Sequence, residues 1–140
     1  MTGPYAEVIG DPIAQSKSPA IHNFWLGKLG IDAEYRATLV GAADLADYFS
    51  ARRADPDWRG CNITMPHKQA ALAHLYQIDP LAARIGAVNT VVRGDTLFVY
   101  YGGADSVVCA AKTSLSGFLK KLRKNEAPKL SPVAFRPTVI

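Results

Sequence analysis

Three short stretches of the sequence carry the side chains best suited to chemistry on a small hydroxylated acid. They read IAQSKSP, NITMPHK and AVNTVV. Hydroxyl and amide groups bind carboxylates and ring hydroxyls through hydrogen bonds, and a lysine ammonium can polarise a carbonyl or transfer a proton. The candidate side chains are those of Ser16, Ser18, Thr64, Lys68, Asn89 and Thr90. Together they predict a binding site for a small polyhydroxylated carboxylate.

Hydrophobic periodicity predicts the elements that must position these side chains. Alternation predicts strands at residues 5–10, 33–40, 60–65 and 87–93, and helical spacing predicts helices at 18–29, 43–53, 66–75 and 79–85. Strands that alternate with helices favour an α/β domain with three layers, in which helices flank a mostly parallel sheet. Ligands of such sheets bind at the carboxyl ends of the strands, which is where the candidate residues gather.

Two of the predicted helices begin beside candidate residues. Ser18-Pro19 is typical of a helix start in which serine is the capping residue, and the free backbone amides there would attract an anion. Pro66 is predicted to open the third helix, which places Lys68 in its first turn. The helix dipole mildly disfavours a cation there, so a functional reason for the lysine gains weight. Taken singly, Ser18 as a helix cap, Asn89 as a turn residue and Lys68 as a solvated lysine remain open alternatives.

Composition limits the class of protein. With 49% hydrophobic and 20% charged residues, the 140-residue chain is typical of one globular domain. It contains no apolar run of the roughly 18 to 20 residues that cross a membrane, and it lacks a leader pattern. We therefore expect a cytoplasmic protein with no membrane partner. Cys61 and Cys109, like the three histidines, show no metal-ligand spacing, so we expect no metal site.

The formal net charge of +4 comes from the C-terminal part of the chain. Residues 1–111 contain nine Lys and Arg against eleven Asp and Glu, whereas residues 112–140 contain seven against one. This basic segment lacks the interleaved aromatic side chains that stack on bases, and its prolines prevent a long helix. We expect a solvated tail rather than a nucleic-acid-binding surface.

In this order along the chain, the elements S-K-S-P, N-x-T-x-P-H-K and G-A-V-N-T resemble the substrate-binding domain of shikimate dehydrogenases, over about residues 5–93. The resemblance implies an oxidoreductase of aromatic amino acid biosynthesis, the shikimate pathway. The family reaction is the NADP-dependent interconversion of 3-dehydroshikimate and shikimate. The implied partner is therefore a small molecule, shikimate or 3-dehydroshikimate.

The resemblance also implies a role for each candidate residue. The implied substrate-binding residues are Ser16, Ser18, Asn62, Thr64 and Asn89. Ser16 and Ser18 would bind the substrate carboxylate, and Thr64 and Asn89 would hold ring hydroxyls. Lys68 would be the catalytic residue that donates or accepts a proton at the oxygen of the reacting carbon. These groups suit shikimate and the related quinate alike.

The sequence departs from the family pattern after the last of these elements. Shikimate dehydrogenases carry a Y-N-T-D element there, whose Asp pairs with the lysine. Aligned on Tyr100, the Asn, Thr and Asp positions hold Tyr101, Gly102 and Gly103. Asp105 is a weak candidate for the missing carboxylate, because it lies two residues further on, about 6 to 7 Å along a strand.

The second departure concerns the cofactor. The chain contains no G-x-G-x-x-G, and its last thirty residues are too few for a dinucleotide-binding fold. We therefore expect no Rossmann cofactor domain and no cofactor bound by this chain, although NADP is the cofactor of the family.

The C-terminal third has a different pattern. Residues 94–115 resemble the C-terminal strands of β-mannoside phosphorylases, five-bladed propeller enzymes in which the residue matching Asp105 contacts a sugar. The pattern predicts two strands around Gly102-Gly103, then a helix begun at Ser114 or Ser116. Such a hairpin would cover or extend the sheet edge and could support self-association.

The predicted organisation has three parts. They are a substrate-binding domain at residues 1–93, a replaced hairpin-helix segment packed on it at 94–124, and a basic proline-containing tail at 125–140. This organisation suggests a chimera or a truncated product, whether natural, frameshifted or engineered.

Three functional hypotheses follow. The chain is a shikimate dehydrogenase that needs a cofactor domain in trans, and the missing cofactor domain and Asp predict that it is inactive alone. The first alternative is a non-catalytic shikimate-binding module. The second is a scaffold with an interaction role, in which the hairpin pairs with another chain.

Overall fold

An open four-stranded sheet forms the centre of the fold. In the computed structural model, which describes residues 3–94, 96–103, 107–127 and 131–132, the strands of this sheet are β1 (Tyr5–Gly10), β2 (Glu34–Leu39), β3 (Trp58–Ile63) and β4 (Thr90–Val92). Their spatial order is β2-β1-β3-β4, and β1 pairs parallel with both β2 and β3. The short β4 runs antiparallel to β3. The prediction of an α/β domain with a mostly parallel sheet is confirmed.

Helices flank this sheet and produce the three predicted layers. They are α1 (Ser18–Lys28), α2 (Leu45–Ala54) and α3 (Pro80–Ile85). Side chains alternate along β1, so Ile9 packs in a cluster with Phe49 of α2, whereas Val8 packs in a second cluster that Leu26 of α1 joins. Among the helices that the structure describes, none combines the length and hydropathy needed to span a bilayer.

The predicted helix at residues 66–75 is wrong. The segment begins with turns, and only Ala70–His74 is helical, as a short 3-10 helix. The buried His67 ring explains the difference, because its Nε2 donates a 2.6 Å hydrogen bond to the carbonyl of Val40, just after β2. A tertiary contact of this kind overrides local helix propensity. Lys68 therefore lies in a turn rather than in the first turn of an α-helix, so no α-helix dipole disfavours its ammonium.

The C-terminal segment forms a sheet of its own. Its strands are β5 (Thr96–Gly103), β6 (Val107–Ser114) and β7 (Ser131–Pro132), all antiparallel and in the order β5-β6-β7. Within the described residues, the hairpin does not extend the first sheet. The two residues of β7, which lie in the predicted basic tail, pair with β6.

Helix α4 (Leu115–Arg123) follows the hairpin, as predicted. Its capping residue is Ser114, whose Oγ accepts a 3.0 Å hydrogen bond from the amide of Gly117. At the other end of α4, Arg123 donates to the Asp79 carboxylate, which precedes α3. The Leu81 amide, helped by Arg123, holds the pKa of Asp79 below its usual value. This ion pair connects the end of α4 to the start of α3.

A buried carboxylate ties the central strand to its surroundings. Glu7 of β1 is 0% exposed and accepts hydrogen bonds from Arg52 Nε at 2.5 Å, from the Tyr48 hydroxyl at 2.7 Å and from the Thr38 hydroxyl. Burial raises the pKa of this carboxyl, but the hydrogen bonds from Arg52, Thr38 and Tyr48 outweigh burial and hold the pKa below its usual value. Glu7 is therefore charged in the folded protein.

Glu7→Gln is expected to lower the free energy of unfolding at neutral pH by about 3 kcal/mol, because it leaves the Arg52 guanidinium without its buried partner. A depressed folded-state pKa contributes stability above the unfolded value of 4.5, and this contribution is lost as the pH falls through the folded value. The difference from the wild type should therefore shrink below about pH 4.5 in denaturant titrations at several pH values.

The matched control is Glu34→Gln. Glu34 also pairs with an arginine, Arg36, at 2.7 Å, but its side chain is 59% exposed. An exposed pair contributes less than about 1 kcal/mol, so this variant should remain close to wild type. Equal destabilisation by the two variants would contradict the central role of Glu7.

β1 ends at a glycine because the segment that follows β3 passes very close to it. The Thr64 amide donates a 3.0 Å hydrogen bond to the Ile9 carbonyl, and the Asp11 amide donates a 3.1 Å bond to the Met65 carbonyl. A Cβ at Gly10 would collide with Thr64 Cγ2 and would lie 2.9 Å from the Met65 carbonyl oxygen. The lack of a side chain at Gly10 is thus what allows the two loops to lie side by side.

Gly10→Ala is expected to lower the free energy of unfolding by about 1 to 3 kcal/mol, the usual cost of overpacking. Gly27→Ala in α1 is the control, since a Cβ there would meet nothing within 4 Å. Alanine favours a helix interior, so this control should raise the free energy of unfolding by up to about 1 kcal/mol. Denaturant unfolding of both variants measures the difference. A Gly10→Ala variant as stable as wild type would disprove the close approach.

Candidate substrate site

A cleft of about 530 Å³ opens at the carboxyl ends of β1 and β3. Its lining residues are Val8, Ile13, Gln15, Ser16, Ser18, His22, Asn62, Ile63, Thr64, Lys68 and Asn89. The residues to which the resemblance assigns roles are all among them, namely Ser16, Ser18, Asn62, Thr64, Lys68 and Asn89, whereas the candidate Thr90 is not. The structure therefore brings three distant stretches of the sequence to one place, and the roles of their side chains stay predictions.

The pairing of β1 with β3 explains why two of these stretches meet. The register places Val8 beside Asn62 and Ile9 beside Ile63, so both strands end at the same edge of the sheet. The loop that carries Ser16 leaves from β1, and the turn that carries Lys68 leaves from β3. Parallel pairing thus puts hydroxyl and ammonium donors around one opening.

The serine end of the cleft differs from the prediction for Ser18. Helix α1 begins at Ser18, its capping residue is Lys17, and no side-chain hydrogen bond caps it. Instead, the Ser18 amide donates a 3.3 Å hydrogen bond to Ser16 Oγ. Because the Ser18 hydroxyl does not cap the helix, it is available to a ligand, together with the hydroxyl hydrogen of Ser16.

The lysine end is organised by a side-chain contact and two backbone contacts. Lys68 Nζ donates a 2.7 Å hydrogen bond to Asn89 Oδ1. The Lys68 carbonyl accepts from the Val88 amide at 2.8 Å, and the Asn89 carbonyl accepts from the Ile63 amide at 2.8 Å. These contacts lock the Lys68 turn, the end of β3 and the Asn89 loop together. Lys68 is the one lysine or arginine among the described residues that line the cleft.

Two aromatic rings near the cleft were missed by sequence analysis. The Tyr35 hydroxyl donates a 2.5 Å hydrogen bond to Asn62 Oδ1, and the Tyr35 ring stacks on His22 with centroids 4.0 Å apart. His22 Nδ1 in turn donates to the Ser18 carbonyl at 2.8 Å. The spacing of Ser18 and His22, four residues on one helix, could have revealed His22. Nothing local could have revealed Tyr35, because Asn62 lies two strands away.

Burial affects the titratable groups behind the cleft. It raises the pKa of the Tyr35 phenol well above its usual value, so this hydroxyl keeps its proton at any working pH. Burial also raises the pKa of the Cys61 thiol to about 12, which leaves it unreactive as a nucleophile. The described residues contain no cluster of three or more His, Cys, Asp and Glu that could hold a metal ion.

The described residues do not fit a bound NADP. A dinucleotide site needs a glycine-rich turn between a strand and the helix that follows it. Among the residues that the structure describes, the glycines with positive φ are Gly30, Gly60, Gly86 and Gly94. They lie after α1, within β3, after α3 and after β4, and none opens a helix at a strand end. The weak candidate Asp105 lies outside the described residues.

Comparison with known proteins finds one family over most of the chain. Residues 8–91 match the family described as the shikimate dehydrogenase substrate binding domain. The shikimate dehydrogenase (NADP(+)) of Sphingopyxis alaskensis is 58% identical over 90 residues, which are 64% of this chain and 33% of that protein. The solved shikimate 5-dehydrogenase of Thermus thermophilus, in complex with NADP(H) and shikimate, has a TM-score of 0.59 and 45% identity, with 64% of this chain and 34% of that chain covered.

The similarity to one relative extends into the C-terminal segment. The shikimate dehydrogenase (NADP(+)) of Cereibacter sphaeroides is 37% identical over 137 residues, which are 98% of this chain and 45% of that protein. This alignment includes the hairpin, so the suggestion of a chimera is not confirmed. The chain spans between a third and a half of the length of these relatives. From the match over residues 8–91, this chain belongs to the shikimate dehydrogenase substrate-binding domain family.

Proposed function

We propose that the cleft binds shikimate or 3-dehydroshikimate, and that this chain is the substrate-binding part of an NADP-dependent shikimate dehydrogenase. The observation that carries the proposal is the convergence of Ser16, Ser18 and Lys68 on one opening of about 530 Å³. Hydroxyl donors at one end and an ammonium at the other match a ring that bears a carboxylate and several hydroxyls. The relatives named above, which carry this activity in their names, support the same assignment.

The carboxylate of the ligand would lie at the serine end. Ser16 and Ser18 can each donate a hydroxyl hydrogen, and the start of α1 adds the positive end of the helix dipole. A carboxylate is the kind of group that such a helix start accepts. The ring hydroxyls would then lie toward Asn62, Thr64 and Asn89.

Lys68 would act at the reacting carbon. Asn89 Oδ1 already holds its ammonium at 2.7 Å, so the donor is oriented before a ligand arrives. From this position Lys68 would donate a proton to the oxygen of 3-dehydroshikimate that is reduced, or accept the proton in the reverse direction. The hydride itself needs a dinucleotide site, which the described residues do not provide.

The division of the chain also remains a proposal. We place the substrate-binding domain at residues 1–93, the hairpin and helix at 94–124, and the basic segment at 125–140. The Arg123–Asp79 ion pair supports packing of the second part against the first. Cytoplasmic location, self-association through the hairpin, and the resemblance of residues 94–115 to β-mannoside phosphorylases remain predictions of the sequence.

Shikimate titration of the isotopically labelled chain, followed by amide NMR spectra, tests the binding proposal. We expect saturable shifts at Ser16, Thr64 and Lys68. Ser16→Ala and Lys68→Ala should each weaken binding by about tenfold, because each removes a hydrogen bond that involves a charged group. Lys28→Ala is the matched control, since Lys28 lies at the other end of α1 over the Phe24 ring and should leave binding unchanged.

Two results would contradict this proposal. Dispersed spectra that do not change with shikimate would show a folded domain without a substrate site. Equal loss of binding in Lys28→Ala and Lys68→Ala would show that general positive charge, rather than the cleft, attracts the carboxylate.

A second experiment concerns catalysis. Mixed with NADPH and 3-dehydroshikimate, the chain alone is expected to consume NADPH no faster than an enzyme-free sample does, because the described residues offer no dinucleotide site. Absorbance of NADPH measures the rate, and the full-length Sphingopyxis alaskensis relative serves as the positive control. Sustained NADPH consumption that Lys68→Ala abolishes would show that this chain is an enzyme by itself.

A further inference from the structure

A continuous chain of hydrogen bonds runs beneath the cleft from Lys68 to Tyr35. Lys68 Nζ donates to Asn89 Oδ1 at 2.7 Å, and Asn89 Nδ2 donates to Thr90 Oγ1 at 3.3 Å. Asn62 Nδ2 donates to the same Thr90 oxygen at 3.0 Å, and the Tyr35 hydroxyl donates to Asn62 Oδ1 at 2.5 Å. The chain ends at a residue that does not itself line the cleft.

The two ends determine how the amide groups between them are oriented. An ammonium can only donate, so the oxygen of Asn89 faces Lys68 and its nitrogen faces Thr90. At the other end, the phenol of Tyr35 keeps its proton and donates to the oxygen of Asn62. The nitrogen of Asn62 therefore faces Thr90 with one hydrogen. Its second hydrogen is left for an acceptor in the cleft.

Tyr35 is held firmly enough to orient another side chain. Its side chain is buried, and its ring stacks on His22 with an interplanar angle of 10°. The Asn23 side chain on α1 makes two hydrogen bonds to the Tyr35 backbone. Asn23 Nδ2 donates to the Tyr35 carbonyl and Asn23 Oδ1 accepts from the Tyr35 amide, each at 2.8 Å. From β2 the phenol reaches across β1 to Asn62 on β3. A group fixed in this way has little rotational freedom to lose when a ligand binds.

We propose that Tyr35 is a positioning residue of this site, whose hydroxyl orients the Asn62 amide so that its free N–H meets a hydroxyl oxygen of the ligand. The inference rests on the proposed function, because it names how one contact to shikimate is prepared. It adds to the site a residue on the outermost strand, beyond the residues that touch the cleft.

The test combines Tyr35→Phe, Asn62→Ala and the double variant, with shikimate affinity measured by NMR titration. Tyr35→Phe should weaken binding about five- to tenfold, the effect of one neutral hydrogen bond. In the Asn62→Ala background it should have no further effect, because Tyr35 acts through Asn62. Equal effects in both backgrounds, or wild-type affinity in Tyr35→Phe, would overturn the proposal.

Tyr48→Phe is the matched control. Tyr48 also donates a buried phenol hydrogen bond, to Glu7 at 2.7 Å, but it lies with α2 on the other face of the sheet. This variant should lose stability and keep wild-type affinity for shikimate. A loss of affinity equal to that of Tyr35→Phe would show that any buried phenol affects binding through stability, and would also overturn the proposal.

A measurement on the free chain separates this inference from the proposed function. Tyr35→Phe should shift the side-chain amide resonances of Asn62, and Tyr48→Phe should not. Asn62→Ala should shift the Tyr35 ring resonances, which tests the contact without any change at Tyr35. If the wild type does not bind shikimate, the proposed function is wrong. These resonances alone then decide whether Tyr35 orients Asn62. Unchanged resonances would refute the positioning role.

Discussion

The buried ion pair between Glu7 and Arg52 is the interaction on which the rest of this domain depends. Glu7 lies on β1, the strand that pairs with both β2 and β3, and its partners belong to β2 and α2. Burying a carboxylate away from water costs free energy unless hydrogen-bond donors satisfy its oxygen atoms. Four hydrogen bonds to Glu7 meet this requirement. β1 can therefore adopt only one register and one face toward α2.

The orientation of β1 decides where the cleft forms. Side chains alternate along a strand, so a Glu7 that faces α2 puts Val8 on the opposite face, toward α1. Val8 is a lining residue of the cleft, and its neighbours in register are Asn62 on β3 and Ala37 on β2. The small Ala37 and Ala6 leave room beside Val8, and Tyr35 extends over this surface to Asn62. The alternation of side chains along β1 thus places the buried charge of Glu7 on one face of the sheet and the polar cleft on the other.

The cleft is formed by segments that lie far apart in the sequence. Backbone contacts as well as side-chain contacts hold these segments together. Lys68, Val88 and Asn89 are linked through carbonyls and amides, and His67 fastens the same turn to the end of β2. A lysine has a long and flexible side chain in solution, yet here both its backbone and its ammonium are held. Such preorganisation favours ligand binding, because the lysine side chain already has one position instead of the many that a free lysine adopts.

Much of this protein was predictable from local sequence pattern. Period-two alternation located β1 and β2, and Ser18-Pro19 and Gly30 marked the ends of α1. Of the two serines predicted to begin α4, Ser114 is the one that does so. The three motifs contain every residue to which the resemblance assigned a role in the cleft. Such motifs are visible in the sequence because residues of one loop are close together in the chain. A resemblance over residues 5–93 also led to the correct family.

Only the tertiary structure decided the contacts between segments distant in sequence. The burial of Glu7, the position of Tyr35 against Asn62, and the replacement of a predicted helix by turns around His67 all depend on which strands become neighbours. Local propensity is a weak preference, whereas a buried hydrogen bond left unmade is costly, so non-local pairing determined these features.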